Sequence, residues 1–457
     1  MANLNVELTK IKENIEDLAK SYGLDFCKTV FQMLDYDQLN QVASYGGFPV
    51  RYPHWSFGMT YEELSKGYTY GVSKIYELVI NNDPCIAYLM KSNSLLDQKL
   101  VMAHVYGHAD FFKNNQWFSK TNRKMVDEMA NHATRIRRYI DKYGFDEVEQ
   151  FIDVCKSLDN LIDIHLPFKN HGSANFKLPR EHLKRSKKEK SVYKQRDVIG
   201  YLAINGKLKD WQSEIMMMLR EEAYYFAPQA QTKIMNEGWA SYWHSKMMTQ
   251  HILKDAEIIE YADHHAGTMA AAKGQMNPYK LGIELFRDIE NRWNKGKFGK
   301  DYEECNSLQE KNSWNKDLGL GREKIFEVRR VHNDVNFIEN FMTMEFCQQH
   351  KLFMFAENHE DKSYNELKEA FDKFKQQFVV QLSSIHGPPI YIVDENDKSE
   401  QLFLEHQHEG VDLKQDWAKE TLKNIFLCWG KPVSLLTVVS EKETRIYFDG
   451  KSFEYQQ

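Results

Sequence analysis

The chain has 457 residues, more than a single hydrophobic core usually holds, which points to one large domain with a smaller one appended. Hydrophobic residues make up 42% and charged residues 28%, values of a folded protein rather than a disordered one. A formal net charge of -6 leaves no global cationic field for nucleic acid, and six cysteines without a C-x-x-C pair argue against a disulfide scaffold or a thiolate zinc site.

In chain order, MANLNVELTKIKENIEDLAK reads as an amphipathic helix and lacks the charged start, apolar core and cleavage site of a secretory signal. No apolar run approaches the roughly 20 residues that span a bilayer. The expectation is a cytoplasmic protein with no integral membrane segment, its cysteines kept as buried thiols. Helical spacing dominates to about residue 165. The Gly- and Pro-rich stretch from Gly46 to Trp55 cannot be regular helix and is predicted to be a loop packed on the core. A helix follows in which Leu95, Leu96, Leu100, Val101, His104, His108, Phe111 and Phe112 recur every three or four residues. Ser94 with Asp97 opens it as a capping box, and Asn114 and Asn115 close it.

The basic stretch Lys177 to Arg196 has few large apolar residues and is predicted to be a solvated, protease-sensitive excursion, with local docking of an acidic partner as the alternative. Helical spacing resumes at Trp211 to Phe226, Met235 to Gln250, Asn277 to Asn294 and Gly321 to Phe341. The third of these has Asn277 as N-cap and Pro278 at the first helical position. After about residue 345 the period shifts towards 2, with β-rich runs at Phe378 to Ile385, Pro389 to Val393, Leu402 to Glu405, Pro432 to Val439 and Thr444 to Phe448. A helix from Lys414 to Leu427 interrupts them. The fold class is therefore mainly α, with a large helical domain over 1–345 and a small α+β domain over 346–457 that carries an antiparallel or mixed sheet.

Two residues four apart on a helix share a face, so His104 and His108 in HVYGHADFF can direct two imidazoles at one point. Among 17 histidines about 0.6 such pairs arise by chance, so the pair gains weight only with a third ligand. MNEGWASYWHSKMM supplies one, setting Glu237, Ser241, His244 and Met248 along one stripe of an otherwise apolar helix. A buried Glu needs a metal or a cationic partner to offset its desolvation. His104, His108 and Glu237 are the expected metal ligands, with zinc the first choice and iron the second. His244 and His265 are candidates for a fourth ligand or a proton carrier. Glu222, in LREEAYYF, is the candidate general base, with Glu221 the equal alternative and His244 the next choice. His332, Asn333 and Asp334 form a polar cluster between two helices and are read as a cap.

NEGWA resembles the third-ligand helix of gluzincin-type zinc peptidases, which implies a zincin-like helical domain. Those enzymes carry their general-base Glu directly after the first His, where this chain has Val105. A wider resemblance runs through RYPHWSFGM (51–59), YELVINNDPCIAYLM (76–90), MAHVYGHADFFKNN (102–115), QTKIMNEGWASYWH (231–244), NPYKLGIELFRDIE (277–290) and HNDVNFIENFMT (332–343). These six blocks, in order, resemble the stage V sporulation protein R family. The resemblance implies a cytoplasmic bacterial protein associated with formation of the spore cortex, the modified peptidoglycan of endospores. Two readings follow. One is a zinc-dependent amidase or peptidase acting on a cell-wall precursor or on a regulatory protein. The other is a non-catalytic, metal-stabilised scaffold that docks sporulation or stress proteins through its C-terminal domain. Redox chemistry at a non-haem iron is a third class compatible with two His and one carboxylate.

Overall fold

In the computed structural model, the histidine helix runs Leu95–Asn114, opened by the Ser94/Asp97 capping box and closed at Asn115 as the sequence predicts. The residues described are 4–69, 77–169, 194–270, 276–305, 307–352, 364–393 and 401–456. Every residue of the histidine helix from Val101 to Phe112 is buried, so this is a central helix rather than a surface one with a single apolar stripe. The glutamate helix, Lys233–Met247, is buried continuously from Ile234 to Ser245. A third helix, Pro278–Lys295, is amphipathic and turns Leu281, Ile283, Leu285, Phe286 and Ile289 inward. Asn277 caps it, its side chain accepting from the backbone of Tyr279 at 2.9 Å.

Glycines set how closely these three helices meet. A Cβ on Gly107 would stand 2.6 Å from the Cα of Ala240, so the histidine and glutamate helices are in backbone contact there. A Cβ on Gly238 would stand 2.4 Å from the Cα of Gly282, which joins the glutamate helix to the third. Close approach of this kind is available only where at least one of the two facing residues lacks a Cβ.

The predicted helix Gly321 to Phe341 is two helices, Gly321–Val331 and Asp334–Phe341. The break falls at His332 and Asn333, and Asn333 caps the second helix. Asp334 caps a different one: its carboxylate accepts from the backbone N–H groups of Ile234 at 2.8 Å and Met235 at 2.9 Å, the N-terminus of the glutamate helix. A carboxylate there satisfies orphan donors and complements the helix dipole. The reading of this cluster as a cap is met twice over.

Two sheets accompany the helices. The first, absent from the sequence reading, has strands β1 (Thr29–Leu34), β2 (Glu77–Ile80) and β3 (Cys85–Met90) in the order β1-β3-β2. β1 and β3 pair in parallel, β2 and β3 antiparallel. Runs of four to six apolar residues such as CIAYLM do not distinguish a strand from a buried piece of helix by period. The second sheet is mixed, with order β4-β5-β6-β7-β8-β9. Its strands are Lys194–Gln195, Ile390–Val393, Leu402–His406, Val433–Val439, Lys442–Phe448 and Phe453–Gln456. β6 and β7 are the parallel pair. The predicted strand Phe378 to Ile385 is instead the end of the helix Tyr364–Ser383 and the 3-10 turn Ser384–His386. Phe371, Phe378 and Leu382 recur at helical spacing and are buried, and that burial overrides the β propensity of the run.

The chain is thus mostly helical with a small C-terminal sheet region. Packing crosses the expected boundary between residues 345 and 346. Helix Tyr364–Ser383 joins the core around the histidine and glutamate helices, while β5 to β8 share a second core with residues from Ala133 to Ala227. Most of the basic stretch Lys177 to Arg196 lies outside the described residues. Its end supplies β4, paired with β5. Among the described residues no helix is long and apolar enough to cross a membrane, and the six cysteines are free thiols.

Candidate metal centre

Contact between the histidine and glutamate helices at Gly107 and Ala240 brings His104, His108 and Glu237 to one point. Glu237 Oε2 stands 3.5 Å from Nε2 of His104 and 3.5 Å from Nε2 of His108. Among the described residues this is the one group of three His, Cys, Asp or Glu side chains whose ligand atoms all lie within 4.8 Å of one another. All three residues are buried.

Those 3.5 Å separations are too long for good hydrogen bonds, and Glu237 Oε2 has no hydrogen-bond partner although it is buried. They match the edges of a coordination shell, since a tetrahedral site with ligands about 2.0–2.1 Å from its centre has edges of about 3.3–3.4 Å. The far nitrogens are both engaged. His108 Nδ1 is 2.9 Å from Asn236 Oδ1, which fixes Nδ1 as the protonated nitrogen and leaves the Nε2 lone pair facing Glu237. His104 Nδ1 is 2.7 Å from His244 Nδ1, so one of the two donates and the other accepts. An ion bound at His104 Nε2 would make His104 the donor and His244 the acceptor. Anchored outer nitrogens of this kind orient the imidazoles of metal sites. Residues fitting a divalent ion are therefore His104 and His108 through Nε2 and Glu237 through Oε2.

Electrostatics agree with an ionised Glu237. Burial pushes its carboxyl up, but without an ion the protonated imidazoles of His104 and His108, donating towards it, and Lys233 outweigh burial and hold the group well below the usual carboxylate range; a divalent ion would take the place of those imidazole protons. Lys233 Nζ lies 2.5 Å from Oε1, leaving Oε2 for the centre. Lys233 is more than half exposed and sits 5.7 Å from the ring of Tyr279, which in turn stacks on His104 at 6.3 Å. Lys233 and Tyr279 therefore stand on the outer side of the centre.

The other anticipated residues fall elsewhere. Glu222 is not brought to the centre. Arg51 Nη2 donates to its Oε2 at 2.7 Å, and His132 Nδ1 lies 3.1 Å from its Oε1, so both oxygens are committed to a separate buried network. Glu221 lies on the far side of His132, 3.6 Å from Nε2. His244 stands behind His104 and touches its outer nitrogen, the place of a positioning residue rather than a base. His265 is further out, its ring 6.0 Å from His244 and stacked on Tyr261 at 5.7 Å. Sequence reasoning missed Asn236, Lys233 and Tyr279. The signal for Asn236 was its place beside Glu237 in NEG; Tyr279 was visible only as part of a helix start.

The network around His132 has its own pH signature. Burial lowers the imidazole pKa, but Glu221 and Glu222 outweigh it and raise it to about 9. A raised value means that the stabilisation is fully present below the unfolded pKa of about 6.5 and is lost as pH rises through 9. The stability difference between the native chain and His132→Gln, from urea unfolding, should be on the order of 3 kcal/mol near pH 6, fall progressively from about pH 6.5 to about pH 9, and be nearly gone above that. A difference independent of pH would show that His132 is neutral in the fold.

Taken together these observations define a mostly helical protein with a buried candidate centre of two histidines and one carboxylate. The family model for SpoVR-like protein matches residues 3–386, and the chain belongs to that family. A relative described as the uncharacterized protein YcgB of Escherichia coli (strain K12) is 29% identical over 482 residues, spanning 92% of this chain and 90% of its own length. No solved structure matches the chain.

Proposed function

We propose that the chain is a metal-dependent hydrolase with a zincin-like helical domain, in which His104, His108 and Glu237 hold one divalent ion, zinc before iron. Its substrate class is the amide bonds of cell-wall precursors or of a protein that controls cortex assembly. The observation that supports it is the convergence of two Nε2 atoms and one otherwise unsatisfied carboxylate oxygen, with both outer imidazole nitrogens anchored. A divalent ion bound there polarises a carbonyl and lowers the pKa of its water to about 7. Val105 and Glu222 supply no base, so the proton must leave to buffer or along the outer side of the centre. Lys233 and Tyr279, placed on that side, orient the substrate carbonyl and stabilise negative charge on its oxygen.

The non-catalytic scaffold is favoured by one specific observation: position 105 is a fully buried valine and the expected replacement carboxylate is tied to Arg51 and His132. The two readings separate in one experiment. Zinc-loaded protein incubated with purified cortex peptidoglycan fragments should release new amino termini, seen by mass spectrometry. Tyr279→Phe should slow that release about tenfold or more with metal content unchanged. If no fragment is cleaved while Glu237→Gln still abolishes sporulation, the centre is structural and the scaffold reading holds.

A further inference from the structure

A cavity of about 600 Å³ opens beside the helix Asp210–Gln231, lined among others by Trp117, His132, Arg220, Glu221 and Tyr224. It has the volume of a small-molecule site, and none of the three candidate metal ligands lines it. Three of its lining side chains carry buried polar atoms that complete no well-aligned hydrogen bond: Trp117 Nε1, Arg220 Nη1 and Tyr224 Oη, the last two interacting only loosely, Arg220 with Tyr224 and Tyr224 with the backbone of Asp163.

Arg220 is wholly buried, and its other nitrogens are spoken for. Asp197 takes Nε at 2.8 Å and also Nη2, while accepting from the backbone of Gly200 at 3.0 Å, so the guanidinium is held rigidly with one edge left over. Tyr224, one turn along the same helix, lies under the guanidinium at 5.0 Å from ring centroid to Cζ. Trp and Arg can only donate, and a tyrosine hydroxyl can donate. Unsatisfied buried donors grouped on one cavity call for a ligand rich in acceptors. Around the lining, Arg135 is paired with Glu214, and Lys120, Lys124 and the buried Arg220 stand against Glu128 and Glu221. Trp117 and Phe168, whose rings meet edge to face at 5.4 Å, add an aromatic wall.

We propose that this cavity is a binding site for the carboxylate or phosphate group of a small molecule whose remaining part is apolar or carries a ring. The oxyanion accepts from Arg220, Tyr224 and Trp117, and the ring or apolar part lies against the aromatic wall. This site is independent of the metal centre.

The test uses the full chain with sodium phosphate and sodium succinate, weak chelators that leave the metal centre in place. Melting temperature and tryptophan fluorescence are followed against sodium chloride of equal ionic strength. Phosphate, succinate or both should give a saturable rise in melting temperature that chloride does not reproduce, and the stronger of the two identifies the oxyanion. Tyr224→Phe removes a hydroxyl that meets Arg220 and the backbone of Asp163 only loosely, so folding should survive while the dissociation constant rises about tenfold, the loss of one hydrogen bond to a charged group. Trp117→Phe should act likewise, and His104→Ala should leave the response intact. No saturable response to either anion, the same response from chloride, or equal affinity in the native chain and both aromatic variants would overturn the proposal.

Discussion

Alanine at His104 or His108 is expected to remove the divalent ion and lower the melting temperature together. An ion that binds only the folded chain stabilises it by about 4 kcal/mol when present at a thousand times its dissociation constant. Losing one of three ligands should abolish most of that, a fall of several degrees for a chain of this length. Treating the native protein with a chelator should bring its melting temperature down to that of His104→Ala, and the same chelator should leave the variant unmoved. His265→Ala, whose ring lies behind His244, should keep both metal and stability. If the histidine variants melt lower yet contain as much metal as the native chain, the two imidazoles are packing residues.

The second large effect lies between the ligands rather than on them. Gly107→Ala would place a methyl 2.6 Å from the Cα of Ala240, and Gly238→Ala would place one 2.4 Å from the Cα of Gly282. The obstructing atoms are backbone, so the helices themselves must separate. Overpacking of a core costs about 1–3 kcal/mol and occasionally more, and the upper end applies where no side chain can rotate away. Gly107 lies between the two candidate ligand histidines and Gly238 beside Glu237, so the same separation should weaken metal binding at the proposed centre. Gly58→Ala is the contrast: a Cβ there meets nothing within 4 Å, and the helix Trp55–Thr69 should gain about 0.5–1 kcal/mol. Denaturant midpoints that move in the same direction for Gly58 and Gly107 would contradict this account of the helix contacts.

Much of the helical scaffold was legible in the sequence because its boundaries are local chemistry. Ser94 with Asp97, and Asn277 with Pro278, announce helix starts, and the structure has them where the caps stand. The pairing of HVYGH with NEGWA as a common centre was legible from residue type: a buried carboxylate and two imidazoles at helical spacing need one another or a metal. Hidden were the features that depend on tertiary contact. Nothing in LREEAYYF tells which residue will face Glu222, and Arg51, distant in sequence, claims it. TVFQML and CIAYLM became strands because they pair with each other across 50 residues of chain, a non-local choice that a short apolar run leaves open. The run at Phe378 was read by composition as β, yet its buried residues keep helical spacing against a core formed elsewhere. Asp334 reads as the start of its own helix, whereas its carboxylate serves the N-terminus of another.

The most direct measurement of the central claim is the metal content and ligand environment of protein purified without a metal-binding tag and never exposed to chelator. Mass-spectrometric analysis should find about one divalent ion per chain, zinc first and iron second, and X-ray absorption should show two imidazole nitrogens among its nitrogen and oxygen ligands at about 2.0–2.1 Å. A chain with metal content near zero, or with an ion whose absorption spectrum is unchanged when His104 and His108 are both replaced, would contradict it.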